Sequence, residues 1–105
     1  HLPLEGNSVD KIFLILAAHE IRDEYERTTF FKELKRVLKP EGKILITEHL
    51  RDTANFLAYN SGFFHFHSKA TWKKTFHSAD LKIKKEIKLT PFISTFILEK
   101  NGTML

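Results

Sequence analysis

Two apolar runs separated by an amphipathic stretch constrain the fold of this chain most strongly. The first covers residues 12–18 and the second lies within residues 43–48. Neither run alternates apolar with polar residues, which is typical of strands buried on both faces of a parallel sheet. Parallel neighbours need a long crossover connection, and the stretch between the runs has helical spacing. The sequence therefore predicts a β-α-β unit.

The connecting stretch predicts an amphipathic helix that begins near residue 24. Its apolar positions recur at helical spacing and its charged positions fill the opposite face. The apolar set is Phe30, Phe31, Leu34, Val37 and Leu38, and the charged set is Glu26, Arg27, Lys32, Glu33, Lys35 and Arg36. Residues 39–42 are predicted to end the helix in a tight turn, because Pro40 cannot continue it. Glu41 favours a type I turn, since a type II turn requires positive φ there.

The second half of the chain predicts a helix and a terminal hairpin. Ser68 is a candidate N-cap, followed by apolar residues at helical spacing, which are Trp72, Phe76 and Ala79. Residues 81–89 alternate and predict a strand with one wetter face or an edge position, and residues 92–98 predict the last strand. The connection between these two strands is too short for a parallel crossover, so they must pair antiparallel. Residues 50–68 are rich in aromatic side chains and harder to assign.

Several short motifs follow one another in a fixed order. They are Leu2-Pro3-Leu4, Val9-Asp10, Ala18-His19-Glu20 and the run from Arg36 to Gly42. This order resembles the second half of the class I S-adenosylmethionine-dependent methyltransferases, in the small-molecule branch that includes the ubiquinone and menaquinone biosynthesis enzymes. The resemblance implies an α/β, Rossmann-like sheet of two parallel strands plus an antiparallel terminal hairpin with flanking helices. In that family the last strand inserts beside the second strand of this chain.

The glycine-rich turn that holds the cofactor in that family is missing from this sequence. The chain has four glycines and no two of them are close together. We therefore expect residues 1–105 to form a single partial domain, the carboxyl-terminal half of a catalytic domain whose glycine-rich half is absent. The resemblance implies S-adenosylmethionine as cofactor and a small, aromatic or lipid-like methyl acceptor. The fragment alone is expected to be inactive.

Candidate site residues follow each apolar run, because ligands of open α/β sheets bind beyond the carboxyl ends of the strands. His19 and Glu20 follow the first run, and Glu48 and His49 end the second, with Arg51 and Asp52 after them. Such a set could bind a metal or supply a general base. The resemblance favours the base, with His19 the best catalytic candidate beside Glu20 and His49. The alternative for His19 is a structural role, capping the next helix or bonding to backbone.

The resemblance also implies which residues contact the cofactor. Leu2 would lie near the adenine, and Leu16, Ala17 and His19 near the methionine end. Aromatic residues in 56–66 would form either a lid and acceptor wall or ordinary core. His65 and His67 could form part of a metal site, but nothing nearby in sequence supplies further ligands, so no metal is predicted.

Charge and composition limit the remaining alternatives. The net charge is +4 with a pI of about 9.4, but the positive charges are spread along the chain. This distribution favours a solvated surface over a nucleic-acid-binding face. No apolar run approaches the roughly 18 residues of a membrane span. The absence of cysteine fits a reducing compartment, and we expect a cytoplasmic protein.

A second hypothesis treats the chain as an interaction module. If both helices cover one face of the sheet, the opposite face would lie bare with Phe13, Ile15 and Leu45 on it. An apolar surface of this kind invites association, including formation of a homodimer.

Overall fold

The computed structural model describes residues 2–16, 18–49 and 67–100, with only the backbone described at residue 19. The elements, in chain order, are β1 (Val9–Ile15), a 3-10 helix (Ala18–Glu20), α1 (Glu24–Val37), β2 (Leu38–His49), α2 (Lys69–Ser78), β3 (Leu81–Thr90) and β4 (Ile93–Lys100).

The strands form one sheet with the order β1-β2-β4-β3. β1 and β2 pair in parallel, whereas β4 runs antiparallel to both β2 and β3. The predicted β-α-β unit, the terminal hairpin and the insertion of the last strand beside β2 are therefore confirmed. The fold is mixed α/β with a Rossmann-like arrangement, and β3 lies at the edge, as its alternating sequence predicts.

The tight turn predicted at residues 39–42 after α1 is wrong. α1 ends at Val37 and β2 begins directly at Leu38, so residues 39–42 lie within the strand. The pairing is irregular there, because Val9 pairs with Leu38 but Lys11 already pairs with Lys43. The extra residues of β2 are accommodated as a bulge. The type I turn expected at Glu41 is therefore not formed.

Gly42 is required in this bulge by close packing. An added Cβ would lie 2.7 Å from Leu38 Cδ1 and 2.8 Å from the carbonyl oxygen of Asp10. Real side chains essentially never approach backbone this closely, so a larger residue would push β1 and β2 apart.

Both helices pack on the same face of the sheet. The buried apolar core combines residues of α1 and α2 with one face of β2, β3 and β4, and its largest members are Phe31, Trp72, Phe76 and Phe96. Their rings meet edge to face or stacked at centroid distances between 5.4 and 6.2 Å. Ser68 caps α2 by accepting from the Thr71 N–H, and Trp72, Phe76 and Ala79 are buried, as predicted.

The side chains of β1 on the sheet face opposite the helices are more exposed than predicted. Burial on both faces was expected, yet Phe13 is 60% exposed and Ile15 is 67% exposed. The prediction was wrong because no described element packs against this side of β1. The bare face expected under the second hypothesis is therefore present at these two residues.

Candidate functional site

The carboxyl ends of β1 and β2 lie side by side, as the candidate site requires. The Leu16 N–H donates to the Thr47 carbonyl over 2.8 Å, so the chain leaves β1 still bonded to β2. Leu16 has a φ of 53°, the left-handed region that non-glycine residues rarely adopt. Strained backbone of this kind costs of order 1–3 kcal/mol and clusters at functional sites. The leucine is 39% exposed, so it presents its surface at this edge.

The 3-10 helix places the first polar group at this edge. Ala18 is buried in the core, and its carbonyl accepts from the Ile21 N–H over 3.1 Å. Glu20 is exposed, while the side chain of His19 lies outside the described residues. Asp23, rather than His19, is the N-cap of α1, because its carboxylate accepts from the Glu26 N–H over 2.8 Å. Asp23 thus holds the N-cap position, whereas the alternative structural role of His19 falls on a side chain outside the described residues.

The last two residues of β2, Glu48 and His49, point to opposite faces of the sheet. Adjacent residues of a strand point to opposite faces. Glu48 is fully buried on the helix side, where its strand partner is the buried Ser94. His49 faces the other side, and its Nδ1 lies 3.0 Å from the Phe92 carbonyl oxygen.

The hydrogen bond of His49 fixes its tautomer. A carbonyl oxygen can only accept, so Nδ1 must carry the proton. The basic nitrogen of the neutral ring is then Nε2, and the ring orientation is set by β4. His49 thus has the preparation that a general base needs, although β2 directs it away from Glu48.

Part of the predicted site lies outside the described residues. This applies to Ala17, Arg51, Asp52 and His65, and to the aromatic segment 56–66. Within the described ranges, no group of three or more potential metal ligands occurs. His67 is buried, and its Nε2 lies 3.5 Å from Nη1 of Arg27.

Arg27 is the residue that the helical pattern misplaced. It was assigned to the charged face of α1, but it is 2% exposed. Its position precedes Phe31 by four residues and Leu34 by seven, which is the spacing of the buried stripe itself. That spacing indicates burial of Arg27. The residue type indicates exposure instead, because lone arginines are seldom fully buried.

The guanidinium of Arg27 is enclosed by partners. Nε donates to Thr75 Oγ1 over 2.9 Å, and Nη2 donates to Glu24 Oε1 over 2.6 Å. Nη1 donates to the carbonyls of Ile21 and Arg22, over 3.0 and 3.1 Å. Partial burial alone would raise the pKa of Glu24, but the Arg27 charge and hydrogen bonds from Thr28, Thr75 and Arg27 outweigh it and lower that pKa. The buried cation is therefore paired.

Leu2 lies apart from the other predicted cofactor contacts. Its N–H donates to Glu33 over 2.8 Å, and its carbonyl accepts from Arg36 over 3.2 Å. Hydrogen bonding from Arg36 lowers the pKa of Glu33 to about 2. These partners belong to the last turns of α1, whereas Leu16 lies near the start of that helix. A surface cleft of about 350 Å³ opens beside Leu2, and a second of about 420 Å³ reaches Ile21, with Thr29 and Phe30 shared between them.

Comparison with known proteins supports the fold and the resemblance. Residues 1–46 match the family described as "Methyltransferase domain". A search of curated proteins finds no match. The chain is similar to a SAM-dependent methyltransferase from Aquifex aeolicus, with 21% identity, a TM-score of 0.74, and coverage of 92% of this chain and 48% of that one.

Two further solved structures have the same fold. A type 11 methyltransferase, described as putative, from Sulfolobus solfataricus is 18% identical with a TM-score of 0.77, covering 98% of this chain and 56% of that one. An O-methyltransferase family 2 protein from Planctomyces limnophilus, in complex with apigenin, is 19% identical with a TM-score of 0.73, covering 89% and 30%. The chain thus spans about half the length of the first two structures.

Residues 1–46 thus match a methyltransferase family, and at these identities the solved structures show that the chain shares their fold. Among the described helices, none is long and apolar enough to cross a membrane.

Proposed function

We propose that this chain is part of an enzyme that transfers a methyl group from S-adenosylmethionine to a small, aromatic or lipid-like acceptor. The observation that carries the proposal is the parallel pairing of β1 with β2, closed by the bond from Leu16 to Thr47. In open α/β sheets this edge is where ligands bind. The Planctomyces structure with bound apigenin supports an aromatic acceptor by analogy.

The chain contributes one side of the cofactor site in this proposal. Leu16, Ala17 and His19 contact the methionine end, and Leu2 contacts the adenine side. Exposed Leu16, with its left-handed backbone, fits a cofactor that is held through apolar surface and backbone. The cofactor supplies an electrophilic methyl group on a sulfonium. In this proposal the glycine-rich half of the cofactor site comes from outside these 105 residues, and the enzyme belongs to the branch that includes the ubiquinone and menaquinone biosynthesis enzymes.

The protein's part in the reaction is alignment and proton removal. An acceptor hydroxyl or amine attacks the methyl carbon in line with the departing sulfur, so orientation and exclusion of water contribute much of the rate. His19, Glu20 and His49 are the candidate bases that take the acceptor's proton. The hydrogen bond from His49 Nδ1 to the Phe92 carbonyl supports His49 in that role, because it fixes the orientation of the ring.

The cofactor assignment is tested by heat protection. S-adenosylmethionine should raise the melting temperature of the full-length protein, since a ligand that binds only the folded state stabilises it by mass action. Adenosine and methionine added together are the matched control, because they lack the sulfonium linkage. The 105-residue chain alone should show little or no shift. Equally tight binding by the isolated chain would contradict the proposed division of the site, and no shift in any form would contradict the cofactor.

A second candidate function is association through the bare sheet face. Phe13 and Ile15 are exposed side by side on β1, which is an edge strand. Exposed apolar surface on an edge strand favours pairing with another chain. Sedimentation of the 105-residue chain distinguishes the candidates: a clean monomer at high concentration would exclude the interaction module.

A further inference from the structure

Arg27 joins three parts of the molecule at one buried point. It belongs to α1, it bonds to Thr75 of α2, and it bonds to two backbone carbonyls between the 3-10 helix and α1. An ionised side chain in the interior is unfavourable unless it is paired and its N–H groups are satisfied. Glu24 pairs the charge and each of the three nitrogens donates to a described partner, so the guanidinium is held in one orientation.

The two carbonyls belong to the segment that follows the candidate site. Ile21 and Arg22 accept from the same nitrogen, Nη1, over 3.0 and 3.1 Å. The N–H of Ile21 in turn bonds to the carbonyl of Ala18 over 3.1 Å. Two hydrogen bonds that share residue Ile21 therefore link Arg27 to the 3-10 helix whose middle residue is His19.

The other side of the guanidinium is anchored in the core. Its carbon lies 5.9 Å from the ring centroid of Trp72, within the range of cation-π attraction. Thr75 Oγ1 also lies 3.2 Å from Glu24 Oε2, so the threonine and the carboxylate support each other as well as the arginine. His67 completes the enclosure, with its ring 5.1 Å from that of Trp72.

We infer that Arg27 is a positioning residue for the candidate site, which rests on the function proposed above. Through the carbonyls of Ile21 and Arg22 it fixes the backbone that presents His19 and Glu20 at the end of β1. It acts through that backbone and does not contact the acceptor. The flat, forked guanidinium is essential, because one lysine ammonium cannot reach the two carbonyls, Thr75 and Glu24 from a single position.

The test replaces Arg27 in two ways in the intact protein. Arg27→Lys keeps the charge and loses the fork, whereas Arg27→Met keeps most of the length and loses both. Lys32→Met, an exposed cation on the same helix, is the matched control. The reporter is hydrogen exchange at the Ile21 amide, and the Ser8 amide, bonded to the Val37 carbonyl at the other end of α1, is the internal reference.

We expect exchange at Ile21 to accelerate by about tenfold or more in both Arg27 variants, since local opening no longer breaks bonds to the guanidinium. Exchange at Ser8 should stay within about twofold in Arg27→Lys, and Lys32→Met should match the wild type at both amides. Affinity for S-adenosylmethionine should fall by about tenfold in Arg27→Lys. This second readout distinguishes positioning of the site from support of the fold.

Unchanged exchange at Ile21 in folded Arg27→Lys would overturn the inference. So would a loss of thermal stability without any change in cofactor affinity, because that result assigns a purely structural role. If the wild-type protein binds no S-adenosylmethionine, the proposed function fails, and this inference about its site is overturned with it even if the exchange result shows Arg27 to be an anchor.

Discussion

The two faces of the sheet contain similar apolar side chains in opposite environments. On the helix side, Phe31 of α1 is fully buried against Trp72 and Phe76. On the other side, Phe13 and Ile15 of β1 are more than half exposed. Residue type is therefore a poor guide to burial here, and the position of the two helices decides it. The difference also separates stability, which resides on the covered face, from association, which the bare face favours.

The largest expected difference in stability is between truncation of a phenylalanine on the helix side and truncation of one on the bare face. Phe31→Ala should destabilise the protein by about 3–5 kcal/mol, because it removes a buried ring and leaves a cavity. Phe13→Ala should change stability by about 0.5 kcal/mol or less, as for other exposed positions. Urea denaturation at constant m-value measures both. Equal losses would show that the bare face is covered in the folded protein.

A second contrast uses two glycines. Gly42→Ala should cost about 1–3 kcal/mol, because the new methyl group would overlap Leu38 and the Asp10 carbonyl. Gly6→Ala should cost no more than a few tenths of a kcal/mol, since its nearest contact would be 3.4 Å from the Arg36 carbonyl oxygen. A harmless Gly42→Ala would mean that the bulge in β2 can open at no cost.

Loss of the N-cap should destabilise α2, one of the two helices that cover the sheet. Ser68→Ala removes the side-chain acceptor for the Thr71 N–H, which is 3.1 Å away, and should cost about 1 kcal/mol. Ser78→Ala, at the exposed end of α2, is the matched control and should have little effect. Thermal unfolding monitored by Trp72 fluorescence reports directly on this helix. A larger loss for Ser78 would contradict the assigned cap.

The pH dependence should report the carboxylate at the outer surface of α1. The folded pKa of Glu33 is about 2, below its ordinary value of 4.5. Its stabilisation is therefore present above pH 4.5 and is lost as the pH falls towards 2. Glu33→Gln should flatten the stability curve in that window, and Arg36→Met should do the same because it removes the main cause. An unchanged slope in both variants would contradict the pairing.

The smallest effect on stability is expected at Ile15. Ile15→Lys should leave the unfolding free energy within about 0.5 kcal/mol, because the side chain is 67% exposed. It should nevertheless reduce self-association, since a charge on an edge strand opposes strand pairing. Analytical ultracentrifugation over a concentration series measures this. If the variant and the wild type associate equally, the bare face is not the interface.

Much of the fold was predictable because periodicity and connection length are local properties. Thr90 and Pro91 leave no room for a crossover, so the hairpin followed directly. The exposure of Phe13 was not predictable from the run that contains it, because a continuous apolar strand looks the same whether one or both faces are covered. The start of β2 was missed for a related reason: Pro40 and Gly42 indicate a turn, yet the strand absorbs them as a bulge.

The position of the candidate site was predictable from sequence, but the contacts that hold its residues in place were less so. Strand order placed the ends of β1 and β2 together, and the Leu16 to Thr47 bond agrees. The contacts of Arg27 with Thr75 and His67 span 40 residues of sequence or more, which no spacing rule reveals, although the helical spacing of Arg27 did indicate its burial. The opposite orientations of Glu48 and His49 follow from strand geometry and could have been stated from sequence.

The most direct test of the account is the location of cofactor binding in the full-length protein. Amide chemical shifts followed during titration with S-adenosylmethionine should change most at Leu16, Ala18 and Glu20. Changes confined to the other end of the sheet, at Asn7 and Lys100, would contradict a site at the shared carboxyl ends of β1 and β2.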